Sequence, residues 1–175
     1  MSASRYDSPH VPAPSGVTDV GNETKANDPN SDPFNLARFR AAQDETYPRA
    51  LSEIRAGHKQ SHWMWFVFPQ AIGLGTSPMA RHYAIRSVAE ARAFLAHPTL
   101  GHRLRECAES LLRISGKSAS EIFGYPDDHK LWSSVTLFAS ISEKDPVFEQ
   151  VLERYFGGKL DPLTLRFLER DAAPE

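Results

Sequence analysis

Along most of the chain apolar residues recur at helical spacing, but between Arg55 and Gly75 that rhythm stops. Arg55, His58, Lys59 and His62 lead straight into Trp63-Met-Trp-Phe-Val-Phe68, a run that ends at Pro69-Gln70. By composition the run suits a buried strand. No second convincing strand is present to pair with it, and a lone strand leaves its backbone groups unpaired, so helix or irregular structure is expected there. Gly73, Gly75 and Pro78 then break the chain into a loop, to which Ser77, Arg81, His82, Tyr83 and Arg86 add polar groups. Charges crowded at one end of an apolar run are the pattern of one wall of a pocket.

On either side of this stretch the pattern predicts helices. Asp32-Pro33 is a start signal, an acceptor followed by proline at the first helical position, and Phe34, Leu36, Phe39 and Ala42 give a first amphipathic helix. A second helical stretch is expected over Tyr47–Ala56, with Pro48 near its start and Gly57 in the left-handed position after it. Ser87 with Glu90 reads as a capping box opening a helix over Val88–Ala96, which Pro98 ends. Thr99 is the expected cap of a longer helix from Leu100 to about Ile114. Ser118 with Glu121 repeats the capping box over a short helix closed by Gly124. The run from Asp127 carries Leu131, Val135, Phe138 and Ile141 at helical spacing, and Asp145-Pro146 and Asp161-Pro162 repeat the start signal for two last helices. The expected fold is an all-α, compact single-domain bundle of about seven or eight helices, without a solenoid repeat.

Composition narrows this picture. A chain of 175 residues that is 41% hydrophobic holds one ordinary core and not two well-packed ones. Residues 1–31 hold Pro9, Pro12, Pro14 and Pro29 among many small polar residues, too little apolar surface to offset ordering entropy. They are expected to be a disordered, dispensable extension, with the helical domain over 32–170 and a short tail over 171–175. A net charge of −2 argues against a non-specific nucleic-acid binder, which carries a basic excess. The single cysteine, Cys107, forms no internal disulfide and fits a reducing compartment. No charged start precedes an apolar run, and no apolar stretch reaches the roughly 20 residues that span a bilayer, so a cytoplasmic location without membrane contact is expected.

The stretch Gly57-His-Lys-Gln-Ser-His-Trp-Met-Trp-Phe-Val-Phe-Pro-Gln-Ala-Ile-Gly-Leu-Gly-Thr-Ser77 is similar to the hallmark of a bacterial family, domain of unknown function 1810. His97-Pro-Thr-Leu-Gly-His-Arg-Leu104, Ile122-Phe-Gly-Tyr-Pro-Asp-Asp-His-Lys130 and Ser133-Ser-Val-Thr-Leu-Phe138 continue the resemblance, in order, over about Phe34 to Leu168. It implies an essentially all-helical domain whose mycobacterial prototype has no assigned activity, and it carries no catalytic residues. The name calpastatin, sometimes attached to members, denotes a disordered, repeat-bearing inhibitor, which a single core-forming domain does not match.

The candidate residues are therefore weighed on their chemistry. Lys59 and His62, with Arg55 and His58 beside them, suit charge-assisted hydrogen bonds to a phosphate or carboxylate, or equally a solvated helix end with His62 buried on a carbonyl. Trp63 and Trp65 read first as core and second as stacking surfaces for a base or sugar. Asp127, Asp128, His129 and Lys130 open a helix, where capping explains the aspartates; Lys130 and Ser133 would line a cleft. Gln70 and Arg81 join the same candidate set. No metal is expected, because His58 and His62 supply only an i, i+4 pair. No cofactor is expected either, since the Ile72-Gly-Leu-Gly-Thr-Ser77 loop lacks phosphate-loop and dinucleotide spacing.

Three classes of function fit. The first is a binding domain for a small anionic ligand, nucleotides among the candidates, with Lys59, His62, Arg81 and Lys130 on the anion and Trp63 or Trp65 on a ring. The second is a hydrolase or transferase acting on such a ligand, with His62 as general acid or base and Asp127 or Asp128 as its partner. The third is a protein-interaction module with an unknown partner. The expected geometry brings Lys59 with His62 and Asp128 with Lys130 across one cleft, roofed by the loop from Gly73 to Arg86. Trp63, Trp65 and Phe68 are expected to hold the core, and Lys59 to add little to folding.

Overall fold

The computed structural model describes residues 31–172; the extension expected over 1–31 falls, but for Ser31, outside them, as do residues 173–175 of the expected tail. In chain order the described residues form α1 (Ala37–Arg55), α2 (Met64–Val67), α3 (Pro78–His82), α4 (Val88–Ala96), α5 (Leu100–Leu112), α6 (Ala119–Phe123), α7 (Asp127–Ile141), α8 (Val147–Phe156) and α9 (Pro162–Asp171). No strand is present among them, and the class is all-α. The single β-like pairing is an isolated bridge between Ala71 and Ile85. No described helix is long and apolar enough to cross a membrane.

Two helices organise the packing. α7 touches α2, α4, α6, α8 and α9, while α5 touches α1, α4 and α8. Their shared core is joined by rings: Phe39 of α1 lies edge-on to Phe94 of α4 at 5.0 Å, Phe94 meets Phe138 of α7 at 5.6 Å, and Phe138 meets Phe148 of α8 at 5.8 Å. All four are fully buried. Close approach of α4 and α5 depends on Gly101, where a Cβ would lie 2.0 Å from the Leu95 carbonyl oxygen. Gly101→Ala is expected to cost about 1–3 kcal/mol, because backbone must move to admit the methyl group. An unchanged thermal midpoint would show that the crossing has slack.

Several helix ends differ from the sequence expectation. α1 runs unbroken through Pro48, so the two expected helices are one. Pro48 is on the exposed face, where water can take the carbonyl freed by its missing N–H. Regular helix begins at Ala37, and Asp32 reaches in from outside to accept from the Leu36 and Ala37 amides at 2.7 and 2.8 Å. Ser87 caps the Glu90 amide as expected, but the Glu90 carboxylate turns to Arg38 and the Arg86 amide, so the box is half made. Thr99 makes no cap. His97 Nδ1 accepts from the Thr99 and Leu100 amides instead. The Ser118 and Glu121 box is complete, and Asp161 caps α9 through the Leu163 and Thr164 amides.

Cys107 lies fully buried at the middle of α5. Burial pushes its thiol up to about 12, against an opposing contact with Tyr47. The Tyr47 hydroxyl donates to Glu106, and burial with that carboxylate beside it raises the phenol above its ordinary value.

Candidate functional site

The polar approach to Trp63 is shaped by a residue the sequence reading passed over. Glu53, near the end of α1, accepts from the Gln60 and Ser61 amides at 2.9 and 3.0 Å, from Ser61 Oγ at 2.6 Å and from Trp63 Nε1 at 2.8 Å. One carboxylate thereby folds the 57–63 segment back on α1, where Gly57 takes φ 64° to let the chain turn. The only available signal was a glutamate two residues before the helix end, a residue type that is most often solvated. Partial burial alone would raise the Glu53 carboxyl, but its hydrogen bonds from Ser61, Gln60 and Trp63 outweigh burial and bring it from 4.5 to about 2. A group depressed in the fold contributes stability above its unfolded value and loses it on protonation. Stability is expected to fall as pH drops from about 4.5 toward about 2, and Glu53→Gln should flatten that part of a denaturation-versus-pH profile. An identical profile in the variant would remove Glu53 as its cause.

The two charged segments meet at Asp127, in the first turn of α7. Lys59 Nζ lies 2.7 Å from Asp127 Oδ2, and Lys130 Nζ donates to Asp127 Oδ1 at 2.8 Å. Each ammonium also lies over an indole: Lys59 is 5.1 Å from the Trp63 ring and Lys130 is 4.8 Å from the Trp65 ring. Burial works to raise the Asp127 carboxyl, but hydrogen bonds and charge from Lys130 and Lys59 hold it below the usual carboxylate range. Two ammoniums on one carboxylate leave the cluster with one net positive charge. The Lys59 side chain is 8% exposed and donates to the Ser61 carbonyl, whereas Lys130 is 20% exposed. The excess charge therefore reaches solvent through Lys130.

Beside Lys130 opens a cleft of about 590 Å3. It is lined by Trp65 and Gln70 and by the start of α7 through Tyr125, Pro126, His129, Lys130, Trp132 and Ser133. Leu74, Gly75, Thr76, Ser77 and Ala80 of the loop and Asp161 with Leu163 complete the lining. The loop that carries Leu74 to Ala80 is pinned at its base, where the Ile72 amide donates to the Ile85 carbonyl and the Ile85 amide to the Gln70 carbonyl. The Asp161 carboxylate is already engaged by the Leu163 and Thr164 amides and the Thr164 hydroxyl, at the positive end of α9.

Four of the ligand candidates named from sequence line this cleft: Trp65, Gln70, Lys130 and Ser133. Lys59 and Asp127 are not part of the lining and contact it through Lys130. The others lie elsewhere. Trp63 is 1% exposed with its N–H on Glu53, so it is core and offers no face to a ligand. His62, in the turn before Trp63, and Arg81, within α3, are both exposed and do not line the cleft. Asp128 faces the far side of the α7 start, where it accepts from His129. Tyr125 and Trp132 line the cleft from outside the candidate set, as does His129, which the sequence marked only as part of the charged cluster that opens the helix. Trp132 and His129 had a visible signal, an indole one turn past the aspartates and an imidazole directly after them.

Lys59 is more structural than the sequence suggests, since its buried ammonium holds Asp127, the Ser61 carbonyl and the face of Trp63. Trp65, by contrast, is half-buried.

No curated protein matches the chain. A solved structure similar to it is that of the conserved hypothetical protein Rv1873 from Mycobacterium tuberculosis, at 49% identity and a TM-score of 0.78, covering 79% of this chain and 99% of that one. The family model described as protein of unknown function (DUF1810) matches residues 33–168, which include α1 through most of α9 and every residue of the cleft. The chain belongs to the DUF1810 family.

Proposed function

We propose that the cleft binds a small anionic ligand carrying a flat ring, with nucleotides as the type. The observation that supports this most directly is the Lys59, Asp127 and Lys130 cluster. Its excess positive charge is presented by an ammonium lying on the face of Trp65, while the carboxylate in the cleft lining, Asp161, is engaged by the α9 amides and the Thr164 hydroxyl. An anionic oxygen reaching Lys130 would form a charge-assisted hydrogen bond, stronger than a neutral one, at the one ammonium of the cluster that solvent and a ligand can reach. A ring held against Trp65, Tyr125 or Trp132 would add stacking area. Thr76, Ser77 and Gln70 supply neutral polar groups along the same walls, and the volume falls within the range of small-molecule sites.

A thermal-shift screen of nucleotides, sugar phosphates and dinucleotides tests the reading. A compound present at 100 times its dissociation constant should add about 2.7 kcal/mol of stability. The gain should disappear in Lys130→Ala and shrink in Trp65→Ala. Retention of the full gain in Lys130→Ala, or no stabilisation by any compound, would place the ligand elsewhere or discard it.

A second reading, hydrolysis or group transfer, is favoured by one observation. His129 lines the cleft with Nδ1 3.0 Å from Asp128 Oδ1, and its Nε2, which has no hydrogen-bond partner among the described residues, could exchange a proton with a bound ligand or water. His129 replaces His62 in the acid-base role, and Asp128 keeps the partner role. His129→Ala should then abolish turnover while leaving the thermal shift by a bound ligand; turnover at the original rate in that variant would exclude His129.

A further inference from the structure

The start of α7 is a partition with a pocket on each side. Tyr125, His129, Trp132 and Phe156 form a row of rings, with centroids 5.4, 6.5 and 5.9 Å apart in that order. Trp132 is fixed in it from two directions, stacked on Phe156 at an interplanar angle of 20° and donating Nε1 to the Lys159 carbonyl at 2.7 Å. His129 and Trp132 line the main cleft on one side and a second pocket of about 370 Å3 on the other. The two spaces therefore share His129 and Trp132 as a common wall.

Charge differs across that wall. Lys130 faces the main cleft, and Asp128, two residues earlier, faces the second pocket. Asp128 Oδ1 takes the His129 amide and Nδ1, while Oδ2 and the Ser120 hydroxyl have no hydrogen-bond partner among the described residues. Lys159 lines the same pocket, so its charge and that of Asp128 balance. A phosphate has no net positive charge to meet there. A neutral group with hydroxyl or amine donors has an open carboxylate oxygen to donate to and the rings of Trp132 and Phe156 to pack on.

Building on the reading of the main cleft as an anion and ring site, we propose that the ligand is bipartite. It is a nucleoside phosphate ester whose anionic part meets Lys130 and whose second moiety, a hydroxyl-bearing sugar or nucleoside, crosses the His129 and Trp132 wall into the second pocket. Asp128 and Ser120 are the specificity residues for that moiety. A ligand that spans both pockets gains the second set of contacts without a second loss of translational freedom, so its affinity exceeds that of the phosphate half alone.

The experiment compares ADP with ADP-glucose and diadenosine diphosphate, and UDP with UDP-glucose, by calorimetry on the full chain. At least one conjugate should bind about tenfold or more tightly than its parent diphosphate, a difference well above measurement error. In Ser120→Trp, which fills the second pocket from an exposed position, that gain should be lost while the parent diphosphate binds as before. Asp128→Asn separates hydrogen bonding from charge and should keep part of the gain. If ADP or UDP binds but no conjugate binds more tightly, or the gain survives Ser120→Trp, the bipartite proposal is overturned and the single-cleft reading stands. If no diphosphate and no conjugate binds, both are overturned.

Discussion

Glu90→Ala is expected to destabilise the protein by about 3–5 kcal/mol, the range for removing one partner of a buried ion pair. Glu90 Oε1 lies 2.6 Å from Arg38 Nη2, and their side chains are 3% and 9% exposed. The other Glu90 oxygen accepts the Arg86 amide. Without the carboxylate the Arg38 guanidinium stays in place, held by the Phe34, Asn35, His82 and Ala84 carbonyls, and its charge is left unpaired. Because His82 and Ala84 end the segment whose other end closes the cleft, the same change should loosen that side of the site. Urea denaturation measures the first effect, and protease sensitivity between Ile72 and Arg86 measures the second. A loss below about 1 kcal/mol, the size of an exposed pair, would mean that water reaches Arg38 after all.

Trp63→Ala and Trp65→Ala should separate folding from binding. Trp63 is fully buried, lies edge-on to Phe123 at 6.2 Å and gives its N–H to Glu53, so its removal should cost about 3–5 kcal/mol. Trp65, two positions on, is half-buried, and its exposed face meets Lys130 and the cleft. Its removal should cost clearly less stability and most of the ligand-induced thermal shift. Equal stability losses would show that Trp65 is as structural as Trp63; a full ligand response without Trp65 would remove it from the site.

Helix type was legible because apolar spacing and capping chemistry are local. Ser118, Glu121, Gly124 and Asp161 act where a reader of the chain would place them. Failures arose where tertiary partners compete for the same atoms. Glu90 leaves its capping box for Arg38, and His97 takes the cap that Thr99 would supply. Pro48 is passed over because its side of α1 faces water. In the site, charge at the head of each apolar run puts Lys59 and Lys130 on one carboxylate, since burying both runs in one core leaves their ends on one rim, whereas His62 and Asp128, expected across the same cleft, lie outside its lining. Sequence proximity misled for Trp63 and Trp65, since a helical turn of α2 sends one inward and the other to the rim. It misled again for Asp127 and Asp128, which fall on different sides of α7. Tyr125 and His129 could not be chosen from spacing, because the row of rings that they join is completed by Phe156 from α8.

Cys107 makes the chain its own clock. The sequence holds one thiol, and it is enclosed at the centre of α5 with its ionisation suppressed. A thiol-reactive reagent in excess finds nothing to modify until the α1, α4 and α8 packing around α5 comes apart. The rate of label uptake therefore counts global openings of the native protein in the absence of denaturant. Any compound that occupies the cleft and stabilises the closed core would slow the count, so binding could be followed at a residue outside the cleft lining.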